Sequence, residues 1–297
     1  MENSAGISKS TLKAVTGRDE SKAFLYEIVQ NDKNGMDVDK WDYLLRDAHY
    51  LGMKQNVEYE RFMHSMRVIE VKGEMRICIR DKMFDSVFNM YLSRYRQHKH
   101  AYQHPVGVAV DLMVLDAFVK AQDFLKVNGK TLIESLEDAE AFCQLDDSAY
   151  YKILHSNPNE GSDHGNDLLE AKRIIRRIES RRLYKCIAQH TQRGSALLLT
   201  GLEDLLRGVS PIGSFKLHQG ARDLGLNTDN PLKHMTFYKK DGSVVREEDE
   251  FEEKSLIIPE HFMDYTVYLY ITDPELPEEQ TRSLKEEFKK YFNGGRS

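Results

Sequence analysis

The stretch Asp37-Val-Asp-Lys-Trp-Asp-Tyr-Leu-Leu-Arg-Asp47 decides how this chain is read. Val38, Trp41, Leu44 and Leu45 recur at three- and four-residue intervals, which gathers them on one face of an α-helix. Asp39, Tyr43 and Asp47 recur every fourth residue and form a second, polar stripe beside it. Asp37 is placed to cap this helix, Asn34-Gly35 to break the chain before it, and Gly52 to stop it. Lys40 sits next to the polar stripe.

Working outward, Arg94, His98 and Tyr102 repeat the same ladder, and Gln103 and His104 extend it. Charged residues at helical spacing ordinarily mark a solvated face. Tyr43 and Tyr102 argue for something drier, because each carries a large apolar ring and a hydroxyl that needs a partner. Two such stripes facing each other would line a semi-buried cleft with carboxylates, phenols, an arginine, a lysine and a histidine. That inventory suits a polyphosphate carrying a sugar and a base. Arg94 would serve as a bidentate fork and Lys40 as a point charge. His98 could donate to a phosphate oxygen or act as an acid.

Helical periodicity dominates residues 17–189. Helices are expected over 19–30, 37–51, 57–70, 81–104, 106–127, 132–143 and 148–155, with a long basic helix over 167–189. Residues 68–79 instead alternate around Lys72-Gly73, a hairpin signal that competes with the end of the third helix. Pro105 would bend or stop the helix before it, and residues 156–166 read as a loop. After Thr191 the texture changes. Residues 196–200, 213–218, 234–240, 243–246 and 265–271 look extended, Asp241-Gly242 is a hairpin turn, and Pro277 opens a last amphipathic helix. The expected fold is therefore mainly α, a helical lobe over 17–190, followed by a smaller α+β lobe over 191–297; residues 1–16 stand apart.

The 297 residues can bury a substantial core, and 40% hydrophobic with 30% charged residues describes a soluble globular chain. No run of about 18 apolar residues predicts a membrane span, and the first 16 residues carry no secretory signal. Cys78, Cys143 and Cys186 follow no CxxC pattern and read as reduced thiols of the nucleus or cytoplasm. A net charge of −6 argues against broad nucleic-acid affinity and leaves only local basic contacts. Among these, Arg173, Arg177, Arg181 and Lys185, with Lys172, Arg176 and Arg182, form a third four-spaced stripe, suited to a polyanion or to solvent. No P-loop, GxGxxG or GxSxG pattern is present, which removes the common kinase, dehydrogenase and hydrolase readings. Asp39 could ligate a metal but cannot hold one alone, since a catalytic site needs about three protein ligands. No HExxH motif or His-Asp doublet occurs, and of the histidines only His98, His100 and His104 cluster.

Four segments carry a more specific likeness: Phe24-Leu-Tyr-Glu-Ile-Val29, Asn34-Gly-Met-Asp-Val-Asp-Lys-Trp-Asp-Tyr43, Arg76-Ile-Cys-Ile-Arg-Asp-Lys82 and Ala101-Tyr-Gln-His104. They resemble the vertebrate SAM-and-HD-domain family of dNTP triphosphohydrolases from Gly17 to about Lys185, and the likeness returns in Asn230-Pro-Leu-Lys-His-Met-Thr-Phe-Tyr238. The resemblance implies an HD-domain-like helical fold that hydrolyses a dNTP such as dGTP to a deoxynucleoside and triphosphate. It implies a divalent metal (Mg, Mn, Fe or Zn), with Asp39 as its aspartate. Lys40, Tyr43 and Arg94 match residues that grip the phosphates, Asp47 and Tyr102 the pair that reads the sugar 3′-hydroxyl. Gln103 falls near the base, and His98 matches a histidine of the same pocket. It further implies assembly as a tetramer by GTP and dNTP effectors, with Arg61, Arg80, Lys82, His104, Arg181, Leu183, Lys185 and Lys240 at effector positions. Pro105 stands where the family has a lysine that contacts effector phosphates. The family's metal-binding histidines, His-Asp doublet and SAM domain precede the matched stretch. The expectation is therefore a truncated member, weak or inactive alone unless the missing ligands are supplied. The alternative is a non-catalytic nucleotide-binding or oligomerisation module that pairs with itself or with a full-length relative.

Overall fold

The computed structural model describes residues 20–22, 24–54, 57–157, 165–211, 213–245 and 258–294. Helices α1 (Phe24–Val29), α2 (Val38–Tyr50) and α3 (Tyr59–Ser65) lead into the hairpin β1 (Met66–Val71) and β2 (Glu74–Arg80). Helix α4 (Phe84–Gln97) continues into a π-helical turn, His98–Tyr102, and Pro105 is the first residue of α5 (Pro105–Ala121). A tiny hairpin and two one-turn helices precede α6 (Ser148–His155) and α7 (Gly165–Glu179). The rest is β3 (Lys185–Arg193), α8 (Thr200–Arg207), β4 (Phe215–Asp223), β5 (Phe237–Tyr238), β6 (Met263–Ile271) and α9 (Glu278–Gly294). The chain is thus mainly helical with a smaller α+β part, as its periodicity indicates.

Local chemistry explains most boundaries. The Asp37 carboxylate accepts from the Lys40 amide at 3.0 Å and so caps α2, while Gly52 ends it with a left-handed φ of 64°. Lys72 and Gly73 take φ values of 52° and 82°, the double left-handed turn that matches the twist of a two-residue hairpin. That hairpin wins over the helix expected across residues 57–70, which stops at Ser65 because Met66 pairs with Ile79.

Four expectations are corrected. The helix predicted over 81–104 is a 3₁₀ turn, a 14-residue α-helix and the π turn. The one predicted over 132–143 is two short helices, Leu132–Ser135 and Ala139–Phe142, the first fixed by a Thr131–Glu134 capping box. The basic helix predicted over 167–189 ends at Glu179. Arg181 turns the chain with φ 59°, and residues 185–193 pair into a sheet. Residues 196–200, expected to be extended, run instead into α8. The loop at 156–166 and the extended stretch at 243–246 lie partly outside the described residues, and residues 1–16 wholly so.

Two compact units are each assembled from separate segments. One comprises Met1–Tyr102, Gln192–Ala196 and Ala221–Tyr265, the other Gln103–Thr191, Leu197–Gly220 and Thr266–Ser297. The chain changes unit within β3, β4 and β6, so this grouping does not follow the change of texture at residue 191.

In the first unit, one core gathers Leu44 of α2, Phe62 of α3, Ile79 of β2, Met83, Met90 and Tyr91 near α4, and Phe237 of β5. The sheet order is β1-β2-β5, with β5 parallel to β2. Trp41 packs its ring 4.7 Å from Phe62, and buried Gln97 donates to the Leu44 carbonyl at 2.7 Å, which ties α4 to α2.

The second unit has two cores. Ala109, Met113, Ala117 and Ala121 form the buried stripe of α5 against Ala171 and Ile175 of α7. Strand β6 is central in the order β3-β6-β4, and its alternation explains why both faces are buried. Tyr268 and Tyr270 join the α5–α7 core, whereas Val267 and Leu269 pack with Leu202, Leu206, Leu284 and Phe288 of α8 and α9. Among the described residues, no helix is long and apolar enough to cross a membrane.

Candidate functional site

The two ladders meet within the first unit. The Tyr102 hydroxyl donates to Asp47 at 2.5 Å, with the Gln97 side-chain oxygen 3.3 Å from the same hydroxyl. Tyr102 also makes edge contacts with Tyr43 and His98, at ring-centre distances of 6.4 and 4.9 Å. Tyr102 closes the π turn that His98 opens, and His98 stays near Arg94.

Beside this pair lies a cluster of basic groups. Arg94, with 19% of its side chain exposed, donates through one terminal nitrogen to the Asp223 carboxylate at 2.5 Å and to the Asp223 carbonyl at 2.9 Å. Burial, and next the charge of Arg94, push the Lys40 amine below its ordinary pKa, while Asp37, Asp223 and Asp39 oppose the shift. Burial lowers the His98 imidazole to about 4, assisted by Arg94 and Lys40 and opposed by Asp223. His98 is therefore neutral near pH 7, a donor at one nitrogen and an acceptor at the other. Burial raises the Tyr43 phenol above its usual range, against the pull of an Arg94 hydrogen bond. Lys40 Nζ lies 2.6 Å from where a Cβ on Gly35 would stand and 3.7 Å from one on Gly225, so two glycines form the slot its amine occupies.

Asp223 is the participant that spacing missed. It lies 129 residues from Arg94 at the end of a strand, where no helical pattern points to it. The nearest signal was Gly225 two residues on, with φ 119°, which marks a tight turn without revealing its neighbour.

Asp39 is exposed at the start of α2. Among the described residues, no three His, Cys, Asp or Glu side chains converge to hold a metal, and the Asp223 carboxylate in the same cluster is engaged by Arg94. One monodentate aspartate does not fit the ligand demand of a catalytic divalent ion. Gln103 belongs to the second unit, where its carbonyl accepts from Tyr268 at 3.2 Å and its side-chain oxygen lies 2.9 Å from a Cβ position on Gly220.

The remaining predicted residues divide between the units. In the first, Arg80 pairs with Asp81 at 3.0 Å and lies 5.7 Å over the Tyr238 ring, which Arg67 also faces at 5.4 Å. Arg61 pairs with Glu58 at 2.8 Å, and Lys82 and Lys240 are exposed. In the second, His104 caps α5 by accepting from the Val106 amide at 3.2 Å. Arg181 is exposed in its turn, Leu183 is half-buried and Lys185 opens β3. The four-spaced basic stripe therefore does not form. Arg177 bonds the Thr272 carbonyl at 3.0 Å, and Lys172 is buried with its amine on the Ser156 carbonyl.

Lys40, Tyr43, Arg94 and a neutral His98 thus gather beside the Tyr102–Asp47 pair within the first unit. No family model matches the sequence. The chain is, however, a relative of the deoxynucleoside triphosphate triphosphohydrolases. It is 35% identical to deoxynucleoside triphosphate triphosphohydrolase SAMHD1 of Danio rerio, over 93% of this chain and 45% of the relative. It is 34% identical to the Homo sapiens SAMHD1, over 86% of this chain and 42% of the relative. A SAMHD1 homolog of Dictyostelium discoideum is 29% identical over 92% of this chain and 51% of its own length. The chain spans about half the length of the curated relatives it matches.

Proposed function

We propose that the α2/α4 cleft binds the triphosphate and sugar of a dNTP. The assembly of Lys40, Tyr43, Arg94 and His98 beside the Asp47–Tyr102 pair carries this reading, and kinship to triphosphohydrolases supports it. Lys40 supplies a desolvated point charge and Arg94 a planar fork for phosphate oxygens. Neutral His98 donates one N–H to a phosphate oxygen. Asp47 accepts from the sugar 3′-hydroxyl while Tyr102 holds that carboxylate in place. Hydrolysis of dGTP or another dNTP by the chain would need a divalent ion. Because Asp39 alone does not fit one, no hydrolytic step is assigned to these residues.

That misfit also favours a second reading: a nucleotide-binding and oligomerisation module that co-assembles with itself or with a longer relative, under GTP or dNTP effectors. Arg61, Arg80, Lys82 and Lys240 in one unit, and His104, Arg181, Leu183 and Lys185 in the other, are its proposed effector contacts. Triphosphate release from dGTP, with Mg²⁺ and GTP present, separates the two. Turnover lost on Asp39→Ala supports the hydrolase. Saturable dGTP binding without release supports the module.

A further inference from the structure

We infer that Asp223 is a positioning residue for the Arg94 phosphate fork, an inference that rests on the polyphosphate reading of the cleft. An unrestrained arginine has many rotamers, and a ligand that orders it loses affinity in doing so. Here one Arg94 nitrogen is held by two acceptors of one residue, the carboxylate of Asp223 at 2.5 Å and its carbonyl at 2.9 Å. Two acceptors on one nitrogen set both the place and the plane of the guanidinium.

Asp223 is itself fixed. One of its carboxylate oxygens accepts from the Gly225 amide at 3.2 Å, and the other from the Asn227 amide at 2.7 Å. Gly225, two residues along, lies against the Lys40 amine and the Tyr91 ring. One short turn therefore braces both cations of the cleft.

The opposing effect is repulsion, since a carboxylate beside a phosphate site disfavours an anion. The hydrogen bonds decide between the two. Both oxygens of Asp223 are already occupied by the arginine and two amides, so its charge is largely neutralised before any ligand arrives. Positioning should win.

The test is calorimetric titration of the full chain with inorganic tripolyphosphate, for wild type, Asp223→Asn, Arg94→Gln and the double variant. Asp223→Ser is a second probe, because its hydroxyl can still accept from the Gly225 amide. Circular dichroism confirms folding. Either Asp223 variant should weaken binding about tenfold, the loss of one charge-assisted hydrogen bond. In the Arg94→Gln background the same change should cost nothing further, since no fork remains to position. Unchanged or tighter binding by the single variants, or an equal loss in both backgrounds, overturns the inference and leaves the cleft intact. Absence of tripolyphosphate binding by the wild type overturns the cleft itself, and the inference with it.

Discussion

The Tyr102 hydroxyl meets the Asp47 carboxylate at 2.5 Å, 55 residues apart in the chain, and so joins the π turn after α4 to the polar stripe of α2. Burial, then the Asp47 hydrogen bond, hold the Tyr102 phenol well above its ordinary pKa, so it remains a donor throughout the physiological range. Tyr102→Phe deletes the donor and leaves the carboxylate. A loss of about 1–2 kcal/mol in urea unfolding is expected. The variant should also bind dGTP and its 2′,3′-dideoxy analogue more nearly alike than wild type does, measured by equilibrium dialysis.

His98 couples this region to pH. Its folded pKa of about 4 lies below the ordinary histidine value, so between the two values the unfolded chain binds more protons than the folded one. The stabilising contribution is therefore complete above about pH 6.5 and is lost as pH falls toward 4. Urea midpoints between pH 7 and 4.5 should fall less steeply for His98→Gln than for wild type. Equal slopes would contradict the assignment.

Gly35 has φ 65° and would place a methyl group 2.6 Å from the Lys40 amine. Gly35→Ala should cost about 1–2 kcal/mol through left-handed strain. It should also push the flexible lysine out of its slot and weaken tripolyphosphate binding. Thermal melts and the same titration check the two effects separately.

Elsewhere in the first unit, buried Arg222 donates to Asp264 at 2.9 Å, and Tyr95 donates to the other oxygen of the same carboxylate at 2.5 Å. Burial, then Asp264, push the Tyr95 phenol up to about 12. Asp264→Asn removes the charged acceptor that Arg222 and Tyr95 share, with an expected loss of about 2–3 kcal/mol. A change below about 1 kcal/mol in urea unfolding would show that solvent reaches the pair.

How far the sequence led can be judged residue by residue. The Asp37 cap, the Lys72-Gly73 turn and the helix at 148–155 were legible because each depends on neighbours within four residues. The two ladders were legible for the same reason, and Tyr102 still reaches Asp47 although the helix carrying it changes pitch. The basic stripe was misread at Arg181, a non-glycine residue in a left-handed turn that no local pattern announces. Residues 185–193 form a strand because β6, some eighty positions later, offers a partner. Asp223 escaped for the same physical reason, since its value lies in a contact with Arg94 across the first unit. Gln103 adjoins the ladder in sequence, yet it belongs to the other unit.

The central claim is that Lys40 and Arg94 bind the triphosphate of a dNTP. It is tested most directly by equilibrium binding of a non-hydrolysable dGTP analogue to wild type and to Lys40→Gln and Arg94→Gln. The account predicts saturable binding by the wild type, weakened at least tenfold by either change while the fold persists. Equal affinity in all three proteins, or no wild-type binding at all, would contradict it.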